Sequence, residues 1–139
     1  MLHGVAFADS PVGPFTRHPT PLFASADSDF PGEDPFVWCQ DGRYYALLKE
    51  QGSFYSDASR AIVLFESDDG LDWELSDNLI VQERELVHED GRIQPINRLE
   101  RPFLYREDGR PVVFFCGIKP KADEERSRIA AMEVLVEDR

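Results

Sequence analysis

The sequence predicts an all-β protein assembled from four-stranded antiparallel units. Three observations carry that reading. The apolar runs are short and rich in β-branched and aromatic residues. Each run is bounded by Gly, Pro, Asn or Asp turn signals. An eleven-residue segment recurs at a fixed offset of 67.

Taken in order, residues 2–8 and about 14–18 predict a first pair of strands. Residues 34–39 and 43–49 flank Asp41-Gly42, a dipeptide suited to a tight hairpin because both positions tolerate positive φ. Residues 60–66 and roughly 72–76 flank Ser67-Asp68-Asp69-Gly70 and read the same way. Residues 101–106 and 111–117 flank Asp108-Gly109. A last strand is expected over 128–136, with a helix over 122–134 as the competing reading. The wholly apolar run at 112–116 predicts strands covered on both faces, as in stacked sheets. Cys39 and Cys116 form neither a close pair motif nor a disulfide framework, so both are expected as buried, reduced thiols.

The repeat orders these strands. Glu33-Asp34-Pro35-Phe36-Val37-Trp38-Cys39-Gln40-Asp41-Gly42-Arg43 aligns without a gap on Glu100-Arg101-Pro102-Phe103-Leu104-Tyr105-Arg106-Glu107-Asp108-Gly109-Arg110, with six of eleven residues identical. A second correspondence joins residues 5–13 to 62–70, where an acidic-Ser-x-x-Gly turn follows an apolar run. Two matches in the same order imply a repeated supersecondary unit. Four antiparallel strands per repeat make the blade of a β-propeller. The chain then holds about two and a quarter blades: outer strands of one blade in 1–20, a full blade in 33–80 and a following blade in 100–137. A meander of hairpins or a β-sandwich is the competing architecture.

Composition narrows the function classes. Against 27 Asp and Glu stand 15 Lys and Arg, a formal net charge of −12. That balance disfavours nucleic acid and anionic membrane surfaces as partners, because both demand clustered cations. No apolar run approaches the roughly 20 residues of a membrane-spanning helix. The first residues show no basic region followed by an apolar stretch, so no signal peptide is visible and a cytoplasmic location is the default expectation.

Glu33-Asp34-Pro35 resembles the acidic-Pro motif of the five-bladed propeller glycoside hydrolases, the superfamily of family 43 arabinosidases and xylosidases. Ala8-Asp9-Ser10-Pro11-Val12-Gly13-Pro14-Phe15 is similar to their outer-strand hairpin. Asn97-Arg98-Leu99-Glu100-Arg101-Pro102-Phe103-Leu104-Tyr105 resembles the strand bearing their acid glutamate. The resemblance covers roughly residues 4–118 and implies a partial five-bladed β-propeller. Five units of this size need roughly 335 residues. The general-base aspartate of those enzymes belongs to a first blade upstream of these segments. A chain of 139 residues would leave apolar blade faces open, which predicts a homo-oligomer or a distorted closure.

Glycoside hydrolysis requires two carboxyl groups flanking the scissile bond. The opening residues of innermost blade strands face the central funnel, where poor solvation and like-charge neighbours raise one pKa. By resemblance Glu100 is the general acid; the competing reading is a structural glutamate held by backbone amides or Arg101. Asp34 is, by resemblance, the carboxylate that tunes the acid and positions the sugar; otherwise it caps the turn before Pro35. Arg98, Arg101 and Glu33 are candidate substrate contacts, with ion pairing or a shared structural role as alternatives. Trp38 either stacks on a sugar or fills the core between blades. Gln94 and Asn97 lie on the approach to Glu100, and His88 reads as a solvated loop histidine. The spacing of His and acidic residues contains no metal-ligand motif, so neither metal nor cofactor is expected, apart from a calcium on the propeller axis that the resemblance allows.

The leading expectation is a glycoside-hydrolase-type propeller acting on oligo- or polysaccharide, with its base missing from this chain. A non-catalytic carbohydrate-binding or assembly module is the second. A sugar phosphorylase is a weaker third, because no phosphate-binding cluster of Arg, Lys and His stands out in the sequence.

Overall fold

The computed structural model describes residues 2–121 and 126–135. Among them are ten strands, no helix, and three antiparallel sheets. A two-stranded sheet pairs β1 (Ala6–Phe7) with β2 (Thr16–Arg17). The first large sheet runs in chain order: β3 (Gly32–Gln40), β4 (Arg43–Glu50), β5 (Ile62–Ser67) and β6 (Glu74–Gln82). The second joins β7 (Glu85–Val87), β8 (Ile93–Glu107), β9 (Arg110–Pro120) and β10 (Arg128–Glu133) in the same sequential way.

The turn chemistry works as the sequence predicts. Asp41 and Gly42 have φ of 52° and 82°, and Asp108 and Gly109 have 49° and 81°. Two consecutive left-handed residues match the twist of the flanking strands, so each dipeptide closes a two-residue hairpin. Between β5 and β6, the Asp69 carboxylate accepts hydrogen bonds from the Leu71 and Asp72 amides, both at 2.8 Å. The Ser67 hydroxyl oxygen accepts one from Gly70 at 2.9 Å.

The large sheets pack face to face. Trp38, Leu47 and Ile62 of the first sheet share a core with Leu104, Phe114 and Cys116 of the second. Ala46, Leu48, Val63 and Phe65, on the opposite face of the first sheet, form a second core closed by Phe23. Residues 46–50 of β4 are buried without a break, the two-sided burial expected of stacked sheets.

Several expectations need correction. Cys39 is exposed, because the alternation of β3 turns Trp38 inward and its neighbour out; Cys116 is buried as expected. Strand β6 begins at Glu74 and runs well past the predicted 72–76. Strand β8 begins at Ile93, so Glu100 lies within a strand and not ahead of one. The predicted helix over 122–134 is replaced by β10 where described, since Arg128–Glu133 pairs with β9; residues 122–125 and 136–139 lie outside the described residues. His88 is half-buried, with Nε2 2.9 Å from the Gln94 side-chain oxygen.

Candidate functional site

The residues that open the two repeats share an unusual backbone. In β3 the register shifts between Glu33 and Phe36, and in β8 between Glu100 and Phe103. Asp34 and Arg101, which are 67 residues apart, both have φ of 54°. A left-handed, non-glycine residue inside a bulge is a costly local conformation, and bulges re-aim side chains near functional sites. Both copies keep it, so the repeat extends to a matched distortion.

The two bulges border one hollow of about 460 Å³. Strand β3 contributes Glu33 and Asp34, and β4 contributes Lys49. Gln51 and Arg60 come from the two ends of the β4–β5 loop, and Arg84 from the link between β6 and β7. Strand β8 supplies its segment from Asn97 to Arg101. Of the predicted site residues, Glu100, Asp34, Glu33, Arg98 and Arg101 are therefore brought together. Trp38 is not among the lining residues. It is 8% exposed in the core between the sheets, stacked on Tyr45 at 5.2 Å, so the core reading of this residue is the one the packing fits. Gln94 also lies outside the hollow's lining, while Asn97 belongs to it.

Lys49 organises the centre. Its side chain is almost wholly buried, with Nζ 2.5 Å from one Glu33 oxygen and 3.7 Å from one Glu100 oxygen. Arg98 approaches Glu100 from the solvent side at 3.8 Å. Burial works against the Glu33 carboxylate, but the hydrogen bond and charge of Lys49, helped by Gln51 and Arg101, hold its pKa below the usual carboxylate value. In ion-pair range Glu100 meets Lys49 and Arg98, and Lys49 also holds Glu33, so the two glutamates share one lysine.

The loop that carries Gln51 and Arg60 is pinned by a carboxylate. Glu50 is fully buried and accepts hydrogen bonds from the Ser56 hydroxyl at 2.5 Å and from the Tyr55 and Ser56 amides at 3.2 and 3.3 Å. The Tyr55 hydroxyl donates in turn to the Phe23 carbonyl at 2.6 Å. The loop is thereby fixed to the second core, and its two ends meet where Arg60 N donates to the Gly52 carbonyl at 2.8 Å.

Sequence reasoning missed Lys49, Gln51, Arg60 and Arg84. A signal existed for Lys49. The Asp41-Gly42 hairpin pairs Gln40 with Arg43 and Trp38 with Tyr45, a register that carried straight on sets Lys49 opposite Asp34. The bulge moves it one place, onto Glu33. Nothing in local pattern marks Arg60 or Arg84, which depend on how two loops meet.

Compared with known proteins, the chain matches no family model, no curated protein and no solved structure. The hollow's own residues set what it can do chemically. Among the described residues its lining is polar, with Leu99 the one aliphatic residue and no aromatic platform. Among the described residues no group of three or more His, Cys, Asp or Glu is arranged to hold a metal ion.

Proposed function

We propose that this chain is part of a five-bladed, glycoside-hydrolase-type β-propeller and supplies about two and a quarter of its blades. In this reading the hollow binds a segment of oligo- or polysaccharide. Glu100 is the general acid, and Asp34 is the second carboxylate that tunes it and orients the sugar. One observation carries the reading: Asp34 and Glu100, each opening one repeat, line the same hollow at the junction of two stacked four-stranded sheets. The sheets support the blade assignment through their sequential strand order and equivalent bulges. The catalytic base is not identified in the hollow. Glu33, its third carboxylate, is committed to Lys49.

A specific observation favours the second reading, a non-catalytic carbohydrate-binding module. Lys49 and Arg98 hold Glu100 in ion pairs at 3.7 and 3.8 Å, which ties the carboxylate down as a binding or structural group would be. Association fits either reading. Phe103, Tyr105 and Ile129 lie on one face of the second sheet, and all three are about half or more exposed. We propose that this face is covered by a second copy when the chain acts alone.

The test is turnover of aryl glycosides by the chain and by Glu100→Gln. Activity lost in the variant supports the acid role, whereas activity unchanged removes Glu100 from the mechanism. Saturable sugar binding without turnover favours the module. Solution mass tests association, and a well-folded monomer contradicts it.

A further inference from the structure

The positive charge around the hollow exceeds what its carboxylates use. Five of its eleven lining residues are Lys or Arg, against three Glu or Asp. Lys49 is committed to Glu33 and Glu100, and Arg98 to Glu100. The other three, Arg60, Arg84 and Arg101, have no carboxylate within 4.0 Å among the described residues. Arg101 exerts a charge pull on Glu33.

This arrangement sits on a chain whose formal charge is −12. One third of its 15 cations line a single concavity, in a molecule where acids are plentiful as surface partners. The three free guanidinium groups come from separate places: the end of the β4–β5 loop, the β6–β7 link and the β8 bulge. The loop is held by the buried Glu50, and Arg101 is held by the bulge. Convergent arginines on fixed backbone suit a group with two or more anionic oxygens, because each planar fork can grip two of them. A neutral sugar would be served by carboxylates, amides and an aromatic surface, and among the described residues the hollow has no aromatic lining.

We infer that the hollow recognises an anionic saccharide, one whose ring bears a carboxylate or a sulfate ester, through Arg60, Arg84 and Arg101. The inference rests on the carbohydrate reading above and names the class of sugar within it. The anionic group lies among these three arginines, and the hydroxyls meet Asn97, Gln51 and the carboxylates. The contact between the anionic group and the arginines is electrostatic, so added salt weakens it.

Calorimetric titration tests this with four probes: an oligogalacturonate, a sulfated galacto-oligosaccharide, a neutral xylo-oligosaccharide of matching length, and inorganic phosphate. One or both acidic probes should bind at least about tenfold more tightly than the neutral one at low salt, an advantage that shrinks towards about 0.5 M salt. Arg84→Gln and Arg101→Gln should each weaken the acidic probe by about tenfold and the neutral one by much less. Which acidic probe prevails tells carboxylate from sulfate. Neutral binding equal to or tighter than acidic overturns the inference and leaves the carbohydrate reading standing. Binding of phosphate without any saccharide, or of no probe, overturns both.

Discussion

The two large sheets are built on one pattern and put to different uses. In each, the repeat segment begins with Glu, a left-handed residue and Pro, carries a bulge there, and turns on Asp-Gly. They differ in what stands across from the leading glutamate. Glu33 pairs with Lys49, whereas Glu100 pairs with Gly117, which offers no side chain. The second sheet has a further register shift after Tyr105, and this is why the residue opposite Glu100 is Gly117 and not Cys116, the repeat partner of Lys49. Glu100 therefore leans on the lysine of the neighbouring sheet. The left-handed positions diverge as well, with a carboxylate at Asp34 and a guanidinium at Arg101. A repeat whose backbone is kept while its charges are exchanged places unlike groups symmetrically about one hollow.

Their coverage differs too. Phe36 and Trp38 of the first sheet pack against the second. The repeat equivalents Phe103 and Tyr105 are 51% and 49% exposed. Equivalent rings, Phe36 and Phe103, touch edge to face at 5.0 Å, and Arg106 donates to the Cys39 carbonyl at 3.2 Å, again across an interval of 67 residues. The second sheet thus presents to solvent the kind of face that the first has buried.

That asymmetry can be broken by substitution. Leu47→Ala, in the core between the sheets, should cost about 3 kcal/mol in urea unfolding. Phe103→Ala should cost no more than about 1 kcal/mol in the isolated chain, because half its surface is already in water. Similar losses at the two positions would mean that the Phe103 face is covered in solution.

A second comparison separates the two glutamates. Lys49→Met should cost about 2 kcal/mol, because it leaves Glu33 partly buried without its ion pair. The depressed pKa of Glu33 in the folded chain gives the sign of the acid response. Its pairing contributes fully above the ordinary value of 4.5 and is lost as pH falls through the lower folded value. Chemical denaturation across this acid window should show a steeper loss of stability in the parent chain than in Lys49→Met. Equal slopes would remove Glu33 as the source.

The smallest effect concerns the backbone. Asp34→Gly and Arg101→Gly should each change stability by less than about 1 kcal/mol, and in the stabilising direction, because glycine relieves φ of 54° while adding freedom to the unfolded chain. A loss of several kcal/mol at one position alone, read from urea midpoints, would show that the two bulges are not equivalent.

Much of this comparison is legible in the sequence because the signals are local. The Asp41-Gly42 and Asp108-Gly109 turns state their own conformation, and the 67-residue repeat alone aligns Glu33 with Glu100. Exposure of Cys39 was open to the same alternation that buries Trp38. The bulges were not legible. A single extra residue leaves the hydrophobic pattern readable and shifts every charge beyond it by one place. The Lys49 contact of Glu100 was hidden for that reason, since that cation belongs to another sheet, whereas the pairing with Arg98 lies on its own strand. Arg60 and Arg84 were hidden because loops converge through tertiary packing, to which the buried Glu50 contributes.

The most direct test is whether the two sheets interact at the hollow. A double-mutant cycle of Lys49→Met and Glu100→Gln, read in urea unfolding, should give a coupling of at least about 0.5 kcal/mol, since Nζ lies 3.7 Å from the Glu100 carboxylate. Additivity within about 0.3 kcal/mol would mean that the glutamate of one repeat does not feel the lysine of the other, and would contradict a shared site.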